Sequence, residues 1–215
     1  MADEPQVPAW DIEEPRDPAA IKALSEVFVS SGYEIKPVLR TLFNSDSFKE
    51  AAYQKVKSPI EVVVGTLRLT GDMQGADPRL ESMANEAGYM GQEILDPPSV
   101  EGWHTGKEWI NSGSLVKRVN FVADRVNNVN LPGVQNIIKR IAASNGVSMT
   151  ADKFVDQCLD LMGPIEMIES TRKELIANVE SEGPISWDGA EYDNSARRVG
   201  EMLALIAATR EYQFG

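Results

Sequence analysis

The sequence predicts an all-α protein, an irregular bundle of about eight or nine helices with one long ordered loop at about 91–113. Three observations carry that prediction. Apolar residues recur at three- and four-residue spacing along most of the chain, and strict two-residue alternation is nowhere sustained. Ser, Asp or Thr, often followed by Pro, stands at the starts of the periodic segments. The 215 residues modestly exceed one domain of ~150 residues and suffice for a substantial core.

Taken in order, residues 1–16 read as a disordered acidic tail. Pro5, Pro8 and Pro15 break any helix, and Asp3, Glu4, Asp11, Glu13 and Glu14 face only Arg16. Trp10 and Ile12 are the two groups able to pin it to the body. Asp17 then caps a helix with Pro18 in its first turn and Ile21, Leu24 and Phe28 along one face, ending at Gly32. Pro37 opens a short helix with Val38, Leu39, Leu42 and Phe43, and Ser45 or Asp46 caps a further turn through Phe48. The clearest start is Ser58-Pro59-Ile60-Glu61, a cap, a first-turn proline and a reciprocal glutamate, ahead of a stripe of Ile60, Val63, Val64 and Leu67. Asp77-Pro78 begins another helix through Leu80, Met83, Ala87 and Met90.

Residues 91–113 are punctured by Gly91, Pro97, Pro98, Gly102, Gly106 and Gly113, while Trp103, Trp109 and Ile110 argue for order. Beyond it, Leu115, Val119, Val122, Val126 and Val129 form a narrow seam. Pro132 restarts the chain with Val134, Ile137, Ile138 and Ile141, ending near Asn145-Gly146. Thr150 caps a helix holding Phe154, Val155, Cys158 and Met162. Pro164 begins the next, with Ile165, Ile168, Leu175 and Val179, and the last runs from about Tyr192 to Tyr212. Residues 17–130 and 131–215 are expected to pack as one continuous domain.

Twenty-one Lys and Arg against thirty-three Asp and Glu give a net charge of −12. That balance argues against nucleic acid or an anionic membrane surface as the main partner, since both are held by clustered cations. One Cys excludes an internal disulfide framework, and one His with one Cys leaves no set for a structural zinc. No apolar run approaches the ~20 residues of a membrane span, and the first twenty residues lack signal-peptide character. Neither a cofactor nor a metal is expected, and the location stays open.

Val56-Lys57-Ser58-Pro59-Ile60-Glu61, Arg68, Gly91-Gln92, Pro97-Pro98, Gly102-Trp103 and Trp109 together resemble the C-terminal portion of the bacterial domain-of-unknown-function family 1800. There a VKSPxE helix is followed by a GQ, PP, GW and W segment and an Arg-bearing helix, a position Arg118 fits. The end of the chain, 208–214, also suits the family. His104-Thr105 stands where the family often has Pro-Gly, a typical member's long N-terminal half is lacking, and 131–190 carries no quotable motif. The resemblance implies no activity. It implies a cell-envelope or exported setting for full-length relatives, often encoded beside a phosphatase- or sulfatase-like family.

Two readings of the loop stay open. Trp103 and Trp109 with His104, Asp96, Glu101 and Glu108 can form a platform for a sugar or peptide. The favoured alternative is that both tryptophans are mostly buried anchors fastening the loop to the helices at 58–70 and 114–129, with Glu61 capping its helix and Arg68 holding loop carbonyls or Glu101. Gln92 and Arg118 join these candidates through the motif. His104 and Glu108 lie four residues apart, but a catalytic zinc needs a third protein ligand. The dearth of catalytic groups favours a non-catalytic scaffold or interaction domain, part of a longer cell-envelope protein, with another protein as its partner. The alternative is a cell-envelope glycan-binding protein or hydrolase using the 96–109 loop.

Overall fold

A computed structural model describes residues 10–73, 75–103, 106–144 and 146–214. The chain divides into two compact units, Met1–Lys55 and Val56–Gly215. In the first, α1 (Pro18–Ser30) and α3 (Asp46–Lys49) follow their capping signals closely, whereas α2 (Ile35–Asn44) starts two residues before Pro37, with no side-chain cap. The Asp17 carboxylate accepts the Ala20 N–H at 2.9 Å, and Ser45 Oγ accepts that of Phe48 at 3.2 Å. Phe28 meets Tyr33 edge-on at 5.3 Å, and Phe43 meets Phe48 at 5.2 Å. None of these helices contains a fully buried residue.

The second unit contains α4 (Pro59–Thr70), α5 (Leu80–Tyr89), α6 (Ser112–Val126), α7 (Pro132–Ser144), α8 (Ala151–Met162), α9 (Glu169–Ser181) and α10 (Tyr192–Ala208). It also holds 3-10 turns at Gly106–Trp109 and Glu211–Gln213. Helix α10 is the hub. Its Val199, Met202, Leu203, Ile206 and Ala207 are buried, and it packs on α6 most extensively and on α7, α8 and α9 as well. One apolar cluster runs from Val62 on α4 through Val122, Ile141 and Phe154 to Tyr212. Gly200 allows the α6–α10 approach: a Cβ there would stand 3.0 Å from the Val126 carbonyl oxygen.

The fold is all-α, with ten helices among the described residues rather than eight or nine. Two later helices also depart from expectation. Asp77-Pro78 forms a turn and α5 starts at Leu80, because the Asp77 carboxylate binds the Arg79 N–H and guanidinium instead of capping. Pro164 likewise starts no helix. Residues 164–168 run without helical structure, with Ile165 and Met167 packed on the core, and α9 begins at Glu169. A two-residue ladder, β1 (Ser148–Met149) antiparallel to β2 (Ile185–Ser186), adds a minimal sheet.

Candidate functional site

The start of α4 is where the motif residues converge. Ser58 Oγ accepts the Glu61 N–H at 3.4 Å while the Glu61 carboxylate accepts the Ser58 N–H at 2.6 Å. From the far end of α5, Gln92 Oε1 accepts the Ile60 N–H at 3.0 Å. Three otherwise orphaned donors around the first turn are thereby matched. Just before it, Val56 bridges Phe214, and the Lys57 N–H donates to the Gln213 carbonyl at 2.9 Å. The half-buried Lys57 ammonium donates to the Tyr212 carbonyl at 2.8 Å and lies 4.3 Å from that ring's centroid. Burial, more than the neighbouring Arg118 charge, pulls its pKa below the usual lysine value, and Glu61 opposes the shift.

Arg118 reaches this region from α6. Its buried face is Ser114, Arg118, Phe121, Val122 and Val126, so the arginine sits on the stripe itself, with Leu115 and Val119 only half-buried beside it. Arg118 is 0% exposed, and none of its three guanidinium nitrogens has a hydrogen-bond partner among the described residues. Burial pulls its pKa down to about 10, against the opposing charge of Glu61, so it remains a cation at neutral pH. Arg198 provides the contrast. Almost as buried, it donates to the carbonyls of Val179, Gly183 and Pro184 and pairs with Glu182.

The loop after α5 is held by its aromatics. Gly91, at φ 102°, turns the chain so that the Gln92 N–H reaches the Ala87 carbonyl. Trp103 Nε1 donates to the Glu93 carbonyl at 2.9 Å, closing residues 93–103 into one lobe. The Trp103 ring is half-buried, whereas Trp109 is buried at 6% exposure. Ser114 Oγ donates to the Trp109 carbonyl at 2.8 Å, and Asn111 with Ser114 makes a second reciprocal cap at the start of α6. Leu95, at φ 67° and 89% exposed, and the fully exposed Val100 stand outward on this lobe.

Of the candidates, the structure gathers Glu61, Gln92 and Arg118 at the start of α4. Arg68 is exposed on α4; Asp96, Glu101 and Glu108 are exposed on the loop. His104 lies outside the described residues. Sequence reasoning left Lys57 and Gln213 out of the site, although both stand in the quoted motifs. Among the described residues, no group of three His, Cys, Asp or Glu is placed to hold a metal, and no helix is long and apolar enough to cross a membrane.

The family described as protein of unknown function (DUF1800) matches residues 10–214. The chain belongs to the DUF1800 family. The match extends well beyond the motif-rich stretch and includes 131–190, where no motif is quotable. No curated protein and no solved structure matches the chain. In this DUF1800 chain, the side chains of the motif residues Ser58, Glu61, Gln92 and Trp103 bind backbone groups of the α4 start or of the loop itself, and that of Lys57 binds the Tyr212 carbonyl. Cys158, buried on α8, has its thiol pKa pushed up by burial and is suited to packing rather than nucleophilic attack.

Proposed function

We propose that this DUF1800 chain is a non-catalytic interaction module that presents the lobe at 91–111 to a protein partner. The observation that supports the reading is a division of labour within the loop. Gln92, Trp103 and Trp109 hold it to α4, to itself and to α6, while Ile94, Leu95 and Val100 stand exposed at its outside. Exposed large apolar groups on an ordered support are the usual anchors of a protein interface. A loop whose backbone is already fixed also loses little entropy on binding. Around the anchors, Glu93, Asp96, Glu101 and Glu108 are exposed, with Lys107 as counter-charge. The chain as a whole carries −12. The complementary partner is therefore a protein segment with apolar anchors and a cationic rim.

A glycan platform needs a free aromatic face, and buried Trp109 with half-buried Trp103 support the anchor role instead. The test places a photo-crosslinking amino acid at Val100 in living cells, with exposed Val147 as control. The expected result is a discrete adduct with a basic protein from position 100 alone, lost on Leu95→Asp. Identical adducts from both positions, or adducts that survive Leu95→Asp, would sink the reading.

A further inference from the structure

We infer that Arg118 and Lys57 form a binding site for a small oxyanion, a phosphate or carboxylate group, inside the unit 56–215. A guanidinium offers five N–H donors in a fixed fork and accepts nothing. Arg118 is 0% exposed, and all three of its nitrogens lack an acceptor among the described residues. Arg198 in the same unit shows what a purely structural buried arginine looks like here, with three carbonyls and Glu182 around it. A buried cation without acceptors is among the most unfavourable arrangements in a folded chain, and a bound oxyanion that takes the fork bidentately removes the penalty.

The surroundings fit an anion rather than a protein carboxylate. Glu61 is the acidic group acting on Arg118, but it is exposed and its carboxylate accepts the Ser58 N–H. Lys57, half-buried, adds a second positive charge that acts on the arginine. Gln213, whose carbonyl holds the Lys57 N–H, is buried with an unpartnered side-chain oxygen. An acceptor of that kind can take the hydroxyl proton of a monohydrogen phosphate.

Thermal unfolding of the full chain tests the inference, in inorganic phosphate, in acetate and in chloride at matched ionic strength and pH. The expected result is a saturable rise in Tm with phosphate, acetate or both, and which of them acts identifies the class of anion. In Arg118→Met the rise should vanish, and the chloride Tm should equal or exceed the native value, since an unpaired buried charge has been replaced by an apolar chain. General salt stabilisation acts on both proteins alike and is removed by that comparison. Should Arg118→Met fail to fold, Lys57→Gln decides: the half-saturating concentration should rise about tenfold, the usual worth of one charge-assisted contact. No saturable rise in the native chain overturns the inference, as does an undiminished rise in Arg118→Met or an unchanged half-saturation in Lys57→Gln.

Discussion

Ser58 shows how much a single side chain decides at the residue scale. Its hydroxyl and the Glu61 carboxylate satisfy each other's backbone N–H groups, and Pro59 occupies a position where no N–H is missed. Ser58→Ala removes the hydroxyl acceptor and leaves one donor at the helix start unmatched. The expected loss is about 1 kcal/mol in urea denaturation; a value indistinguishable from zero would mean that the cap contributes nothing in solution. This kind of detail is legible in a sequence because it is local, with donor and acceptor three residues apart. Arg118 is the opposite case. It lies on the buried face of α6, yet hydropathy patterning places charged residues outside, so the seam drawn through Leu115 and Val119 passes beside the deeper line. Only the family motif drew notice to Arg118, and it carried no sign of burial. The pairing of Lys57 with the chain's far end, through Gln213 and Tyr212, spans 155 residues and leaves no periodic trace.

At the scale of elements, proline was an uneven start signal: Pro132, after Leu131 with no side-chain acceptor, opens α7, whereas Pro78, after Asp77, opens no helix. Pro18 follows Asp17 and Pro59 follows Ser58, and both open helices. Pro164 follows Gly163, which at φ 118° and with no side chain cannot cap, and α9 waits until Glu169. The β1–β2 ladder was invisible because two residues are too few for alternation to register. Two predictions belong here. Gly133 lies in the first turn of α7 against the end of α4, where an added Cβ would meet the Leu69 carbonyl oxygen at 2.0 Å and the Thr70 carbonyl carbon at 2.6 Å. Helix propensity alone favours alanine by ~1 kcal/mol, but the clash is with backbone and α7 must shift. Gly133→Ala should therefore destabilise by about 1–3 kcal/mol, and a gain in stability would show that the two helices can separate freely. The loop gives the second. Trp109→Ala should cost about 3–5 kcal/mol, as for a buried aromatic. Trp103→Ala, removing a half-buried ring and one hydrogen bond, should cost about 1–2 kcal/mol. Equal losses for the two would contradict their different burial.

For the molecule as a whole, the distribution of buried residues sets the expectation. Every member of the apolar core cluster lies between Val62 and Tyr212, and α1, α2 and α3 contribute none. The sequence read those first helices correctly as amphipathic, but periodicity says only that a helix has an apolar face and not how deeply that face is buried. The unit from Val56 onward has its own closed core, its own chain-end pairing of Val56 with Phe214, and the whole α4 start with Lys57 and Arg118. Its length suits an independently folding domain. A protein beginning at Val56 should therefore unfold in one cooperative transition in guanidinium, with a free energy within about 2 kcal/mol of the full chain's, out of the roughly 5–15 kcal/mol usual for a domain. Lys57 and Ser58 should keep their roles, so Ser58→Ala should cost the same in the short protein as in the long one. A broad, non-cooperative transition, or a fall of more than half the stability, would show that residues 10–55 supply part of the core rather than an appended helical unit.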